Sequence, residues 1–106
     1  MAHVNLGVMY EHGQGVPQDY AEAIRRYRLA ADEGDLDAQY ELAVIYDQGR
    51  GVSKDEAEAS KLYLLAANQG HAKAQHSVGY MLQAGLGVER NYAEAAKWYL
   101  RAAMQE

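Results

Sequence analysis

Residues 2–34 read AHVNLGVMYEHGQGVPQDYAEAIRRYRLAADEG, and the same frame returns 36 and 72 positions later. Ala2, Ala38 and Ala74 coincide in it, as do Gly13, Gly49 and Gly85, and Gly15, Gly51 and Gly87. Val16, Val52 and Val88 follow, then Tyr27, Tyr63 and Tyr99, then the pairs Ala30-Ala31, Ala66-Ala67 and Ala102-Ala103. A fixed period of this length marks stacked supersecondary units, none of which buries its apolar face alone. Three units fill the 106 residues as one repeat domain, at residues 2–37, 38–73 and 74–106.

Each unit reads as two helices. In the first, helix A, the residues Ala2, Leu6, Met9 and Tyr10 share one face of a 3.6-residue wheel. The face recurs as Ala38, Leu42, Ile45, Tyr46 and as Ala74, Val78, Met81, Leu82. Gly13, Gly49 and Gly85 are placed to stop these helices in the left-handed conformation. Helix B opens on Asp19, Asp55 or Asn91 with Glu22, Glu58 or Glu94 three residues on, the pattern of a capping box. Pro17 stands just ahead of the first, where no helical hydrogen bond is lost. Helix B then carries Ala23, Tyr27, Ala30 and Ala31 at helical spacing, and Gly34 and Gly70 end it, leaving Asp35 and His71 as N-caps of the next helix A. Ala recurring at 30, 66 and 102 predicts close helix approach there.

The pattern A-x-x-x-L-G-x-x-Y-x-x-G-x-G-V-x-x-D-Y-x-x-A-x-x-x-Y-x-x-A-A-x-x-G fits residues 2–34 at every fixed position. It resembles the Sel-one-like repeat (SLR), a branch of the tetratricopeptide superfamily, over the whole chain in three copies. The G-x-G-V connection and the 36-residue period separate it from the 34-residue tetratricopeptide unit. Ala43 replaces the Gly of Gly7 and Gly79, Glu56 the Tyr of Tyr20 and Tyr92, and Leu82 the Tyr of Tyr10 and Tyr46. Trp98 carries the Trp common in the family, where the other copies have Arg26 and Leu62. The resemblance implies an all-α right-handed α-solenoid of about six antiparallel helices, with helix A lining the concave side.

Composition excludes several classes of function. There is no Cys, so disulfides, zinc thiolate sites and a cysteine nucleophile are absent. The net charge is −5, most of it in residues 2–37, where three basic and seven acidic side chains give −4. No basic run exists to hold a phosphate backbone, so nucleic acid is not an expected partner. No apolar stretch approaches the roughly 20 residues of a membrane span. Met1 to Tyr10 lack the basic start and apolar core of a signal peptide.

Nor is chemistry expected. No two of the four histidines have the i, i+4 spacing of a helical metal site. His71 reads as a cap and His76 as a groove residue. The G-x-G steps lack the preceding strand of a phosphate-binding loop. Ser53, Ser60 and Ser77 have no His and Asp arranged about them, so no nucleophilic enzyme, metal or cofactor is expected. Some cysteine-rich SLR proteins are linked to β-lactam binding, a reading for which this chain offers neither cysteine nor triad. Glu22 with Arg25, Glu58 with Lys61 and Glu94 with Lys97 read as exposed i, i+3 pairs.

Helix packing leaves one face unexplained, the other side of helix A. Val4, Val8, Tyr40, Val44, His76 and Tyr80 form its apolar and aromatic floor, with Gln83 beside them and acidic Glu11, Glu41 and Asp47 expected exposed along it. Such a band suits an extended peptide with apolar and basic side chains. The tetratricopeptide clamp for a terminal carboxylate is not expected, because Val4, Val8, Tyr40 and Val44 stand at its positions. The expected function is thus a protein- or peptide-binding scaffold. The alternative is a structural or engineered fragment that associates with itself through uncapped ends. That alternative expects Ala2 and Leu6 at one end, and Trp98 and Ala102 at the other, to lie open and to join copies as a two-fold dimer or head to tail.

Overall fold

The structure, a computed structural model, describes residues 2–105, with side chains from Val4 onward. Six helices follow one another: α1 (Ala2–His12), α2 (Tyr20–Asp32), α3 (Leu36–Gln48), α4 (Glu56–Asn68), α5 (Ala72–Ala84) and α6 (Tyr92–Met104). No strand occurs among the described residues. Each helix packs chiefly on its neighbours in sequence, so the molecule is a stack with extents of 44 × 27 × 20 Å. The all-α solenoid expected from the period is the observed architecture.

The helix ends follow the sequence signals. The side chains of Asp19, Asp55 and Asn91 accept hydrogen bonds from the backbone N–H of Glu22, Glu58 and Glu94 at 3.1, 3.0 and 3.0 Å. Asp35 and His71 do the same for Ala38 and Ala74 at 3.0 and 3.1 Å. Only half of each capping box forms, however. The cap N–H of Asp19, Asp55 and Asn91 is donated to the carbonyls of Tyr10, Tyr46 and Leu82 in the preceding helix, at 2.8 to 2.9 Å. That bond closes the A-to-B connection and leaves the glutamates free for other partners. Glu22 takes Arg25 and Arg26, both at 2.8 Å, and Glu94 meets Lys97 at 3.9 Å, whereas the expected Glu58–Lys61 pair does not form.

The second glycine of the second and third connections makes a unit-to-unit contact. Gly51 has φ +72° and a Cβ there would collide with Cβ of Tyr20 at the start of α2; Gly87 has φ +73° and a Cβ would collide with the carbonyl oxygen of Glu56 at the start of α4. Both a left-handed backbone and an approach too close for any side chain therefore require glycine. The core between the helices is Ala23, Tyr27, Leu42, Ala43, Ile45, Ala59, Tyr63, Ala66, Ala74, Met81 and Trp98, among others.

The expectation for Trp98 and Ala102 is corrected. Trp98 is 6% exposed and Ala102 2%. Trp98 occupies the slot of Arg26 and Leu62, on the side of α6 that faces α4 of the preceding unit across a cleft, so its ring is buried against α5 on that side rather than left open at the end of the stack. The open face of α6 carries Tyr92, Ala96, Tyr99 and Ala103 instead, the positions at which the equivalents Glu56, Ser60, Tyr63 and Ala67 are covered by α5 and its loop. At the other end Leu6 is half-buried and Met9 is 37% exposed, while its equivalents Ile45 and Met81 are buried. Ala2 lies outside the residues whose side chains are described. Arg26, which pairs with Glu22, makes the first unit's backward-facing slot polar where the other two have Leu62 and Trp98.

Ala66 is fully buried where α4 packs on its neighbours. Ala66→Leu should therefore cost about 1–3 kcal/mol from overpacking. Chemical denaturation should show a lowered midpoint with an unchanged slope.

Candidate functional site

The candidate face is built from one side of α1, α3 and α5, and the structure divides the expected residues into two groups. Glu11, Asp47 and Gln83 belong to a recurring internal contact. The hydroxyls of Tyr27, Tyr63 and Tyr99 donate to Glu11 Oε1, Asp47 Oδ2 and Gln83 Oε1 at 2.8, 3.2 and 2.8 Å. Each bond joins the second helix of a unit to its first. The tyrosine ring reaches the acceptor by lying flat over the first helix. A Cβ on Gly7 would come within 2.7 Å of the Tyr27 ring, and one on Gly79 within 2.9 Å of the Tyr99 ring.

Glu11 is accordingly not the exposed carboxylate that the sequence led us to expect. It is 2% exposed and also accepts a hydrogen bond from Arg50 Nη1 at 2.8 Å, which ties the first unit to the second. Burial and the neighbouring carboxylates push the hydroxyls of Tyr27 and Tyr63 well above the usual tyrosine range. The signal for this contact was in the chain. A hydrogen-bond acceptor stands 16 residues before the conserved-register tyrosine in all three units, and Arg50 had no assigned partner.

The second group forms the accessible band. Val4, Val8, Tyr40 and Val44 are half-buried and pack against the core. Tyr40 is held between Tyr63, at 5.7 Å between ring centroids, and the His71 ring, stacked at 5.0 Å. Nδ1 of His71 accepts from Ala74 N–H, so Nε2 carries the proton and donates to Asp37 Oδ1 at 3.0 Å. In the third unit the band opens: His76, Tyr80 and Gln83 are exposed, Tyr80 by 54%. His76 stands edge-on to Tyr99 at 5.1 Å.

Glu41, next to Tyr40, was part of the expected acidic edge and is its most frustrated member. It is half-buried and has neither a hydrogen bond nor an ion pair among the described residues. Burial first, and the Glu11 charge second, push its carboxyl above the usual range, against weaker opposition from Lys73 and Arg50. The described residues contain no cluster of three His, Asp or Glu side chains that could hold a metal ion. No described helix is long and apolar enough to cross a membrane.

The Sel1 repeat family model matches residues 1–35, 36–71 and 72–106, one match for each helix pair. The chain belongs to the Sel1 repeat family. The Sel1 family is known for protein-interaction scaffolds, and this chain is an all-helical solenoid built of three of its repeats. Among solved structures it is similar to c5321, a protective antigen of uropathogenic Escherichia coli with an SLR fold. That likeness has 46% identity and a TM-score of 0.96, over 98% of this chain and 22% of that one. It is also similar to a Sel1 repeat protein from Oxalobacter formigenes, with 41% identity and a TM-score of 0.96, over 99% of this chain and 43% of that one. Cysteine rich protein B of Helicobacter pylori shares the fold at 23% identity and a TM-score of 0.81, over 97% of this chain and 80% of that one. The chain thus spans less than half the length of the first two. No curated protein matches it.

The internal contact separates two substitutions that look alike in the sequence. Glu11→Ala strands the buried Tyr27 hydroxyl and should cost about 1–3 kcal/mol. Gln83→Ala releases an exposed hydroxyl into water and should shift the denaturation midpoint little. Equal effects would show that burial of the tyrosine hydroxyl does not set the cost of losing its acceptor.

Proposed function

We propose that this three-unit domain, residues 1–106, holds an extended peptide on the band formed by Val4, Val8, Tyr40, Val44, His76, Tyr80 and Gln83, without catalysis. The observation that carries the reading is Glu41. A half-buried carboxylate with no partner destabilises the fold when ionised, and a basic ligand group placed against it would relieve that cost. Tyr80 and His76, on the same side of α5, supply exposed aromatic surface for apolar side chains. Asp47 adds a second anion, since Tyr63 occupies only one of its oxygens.

The Glu41 carboxyl is raised above 4.5, so the folded state keeps its proton after the unfolded state has lost it. The destabilising charge is therefore absent below 4.5 and fully present once pH exceeds the raised value. A ligand cation favours the ionised form, so binding expels the proton and strengthens as pH rises through that range. An arginine- and leucine-containing peptide, titrated by calorimetry, should bind more tightly at neutral than at acid pH and more weakly as salt rises. Tyr80→Ala should weaken it several-fold, and Glu41→Gln should remove the pH dependence while raising the unfolding midpoint at neutral pH. Amide shifts confined to α2, α4 and α6 would overturn the assignment.

Self-association is the second reading, and Gly15 favours it. Gly51 and Gly87 press on the unit before them, whereas only the side chain of Met9 lies near a Cβ placed on Gly15. Tyr92 offers another copy the same residue type on which Gly51 rests. Head-to-tail stacking in register would seat Gly15 on Tyr92 and cover Tyr99 and Ala103. Sedimentation should then show concentration-dependent association, which Ala103→Glu abolishes with helicity intact. A monomer at high concentration would exclude this mode.

A further inference from the structure

The opposite side of the solenoid carries a feature unrelated to the peptide band. A cleft of about 500 Å³ lies between α4 and α6, with α5 as its floor and the loop at Gly87 and Val88 closing one end. Val78, Met81, Leu82 and Trp98 line its depth, and Leu64 stands at its lip, 41% exposed. α4 borders it from Ala57 to Asn68, a run of about 16 Å at 1.5 Å per residue.

This trough is not a general product of the repeat. At the equivalent place between α2 and α3, Arg28 stretches over Tyr46, donating to its hydroxyl at 2.9 Å with the guanidinium 6.0 Å from the ring centroid. Leu64 and Leu82 stand at those two positions in the next unit, and Ser60 stands where the first has Ile24. Three shorter side chains thus leave open what the first unit bridges.

The charges at the rim are not symmetrical. Glu94 has its own cation in Lys97, whereas Lys61 lines the cleft with no ion pair among the described residues. Arg101 lies over the Trp98 ring at 4.5 Å, which occupies that face against any ligand ammonium and adds a second positive charge nearby. An apolar trough of this volume with few polar groups is the usual build of a small-molecule site. Bordered along about three turns of α4, it suits an extended chain.

We propose that this cleft binds an amphiphilic monocarboxylate of the fatty-acid class, its alkyl chain lying over Met81, Leu82 and Trp98 and its carboxylate meeting Lys61. Trp98 is the single tryptophan of the chain and reports occupancy directly. The full chain is titrated with dodecanoate, dodecanol and dodecyltrimethylammonium, each below its micelle concentration, while Trp98 emission is followed. Dodecanoate should saturate the signal and bind more tightly than the ammonium compound. Lys61→Gln should weaken dodecanoate about fivefold and leave dodecanol unchanged. Leu64→Arg and Leu82→Tyr, which install the residues of the first unit, should each abolish the signal with helicity retained. The absence of a saturable change, equal affinity for the ammonium compound, or binding that survives both filling variants would overturn the proposal.

Discussion

Each unit depends on a tyrosine that crosses from its second helix to its first. The ring of Tyr27 or Tyr99 lies on a helix-A glycine, and the hydroxyl reaches an acceptor at the far end of that helix. The contact combines apolar burial with a polar anchor. It therefore fixes both the distance between the helices and their register along the axis. In the middle unit Ala43 takes the glycine's place, and Tyr63 instead packs against Tyr40. The first unit adds Arg50 to the same acceptor, so one buried carboxylate braces a helix pair and the junction to the next pair.

That double duty explains what the sequence did and did not disclose. The period, the helix faces, the five N-caps and the left-handed glycines were legible, because each depends on a residue's own conformational preference or on a partner within one turn. Glu11 was not, since its wheel position is the same whether it meets water or a tyrosine 16 residues on. The capping boxes were half legible for a similar reason. Asp19 caps a local N–H, but its own N–H goes to Tyr10, which only the turn between helices brings near. Trp98 was placed on the correct helix face and given the wrong neighbour. Periodicity shows which residues are buried, and the handedness of the stack decides which unit buries them.

The two long sides of the stack are built by different means. On the side of α1, α3 and α5 the half-buried aromatic and aliphatic residues are held by ring stacking, and the surplus is one unpartnered carboxylate. On the side of α4 and α6 the surface is shaped by the length of three side chains, Ser60, Leu64 and Leu82, against Ile24, Arg28 and Tyr46 in the unit before. The same backbone frame thus carries an electrostatic surface on one side and a volumetric one on the other. Neither disturbs the tyrosine anchors between them.

The glycines at 51 and 87 carry this independence further. Where they touch the preceding unit, at Tyr20 Cβ and the Glu56 carbonyl oxygen, they contribute only main chain. At these two joints the approach of one unit to the next is therefore limited, like the spacing of rungs on a ladder, by main chain rather than by a glycine-position side chain. The array thus resembles a ruler whose divisions meet at bare main chain, while the marks between them differ from unit to unit. Any side chain introduced at either glycine would act instead on the scale itself, splaying two units and displacing every position beyond the joint.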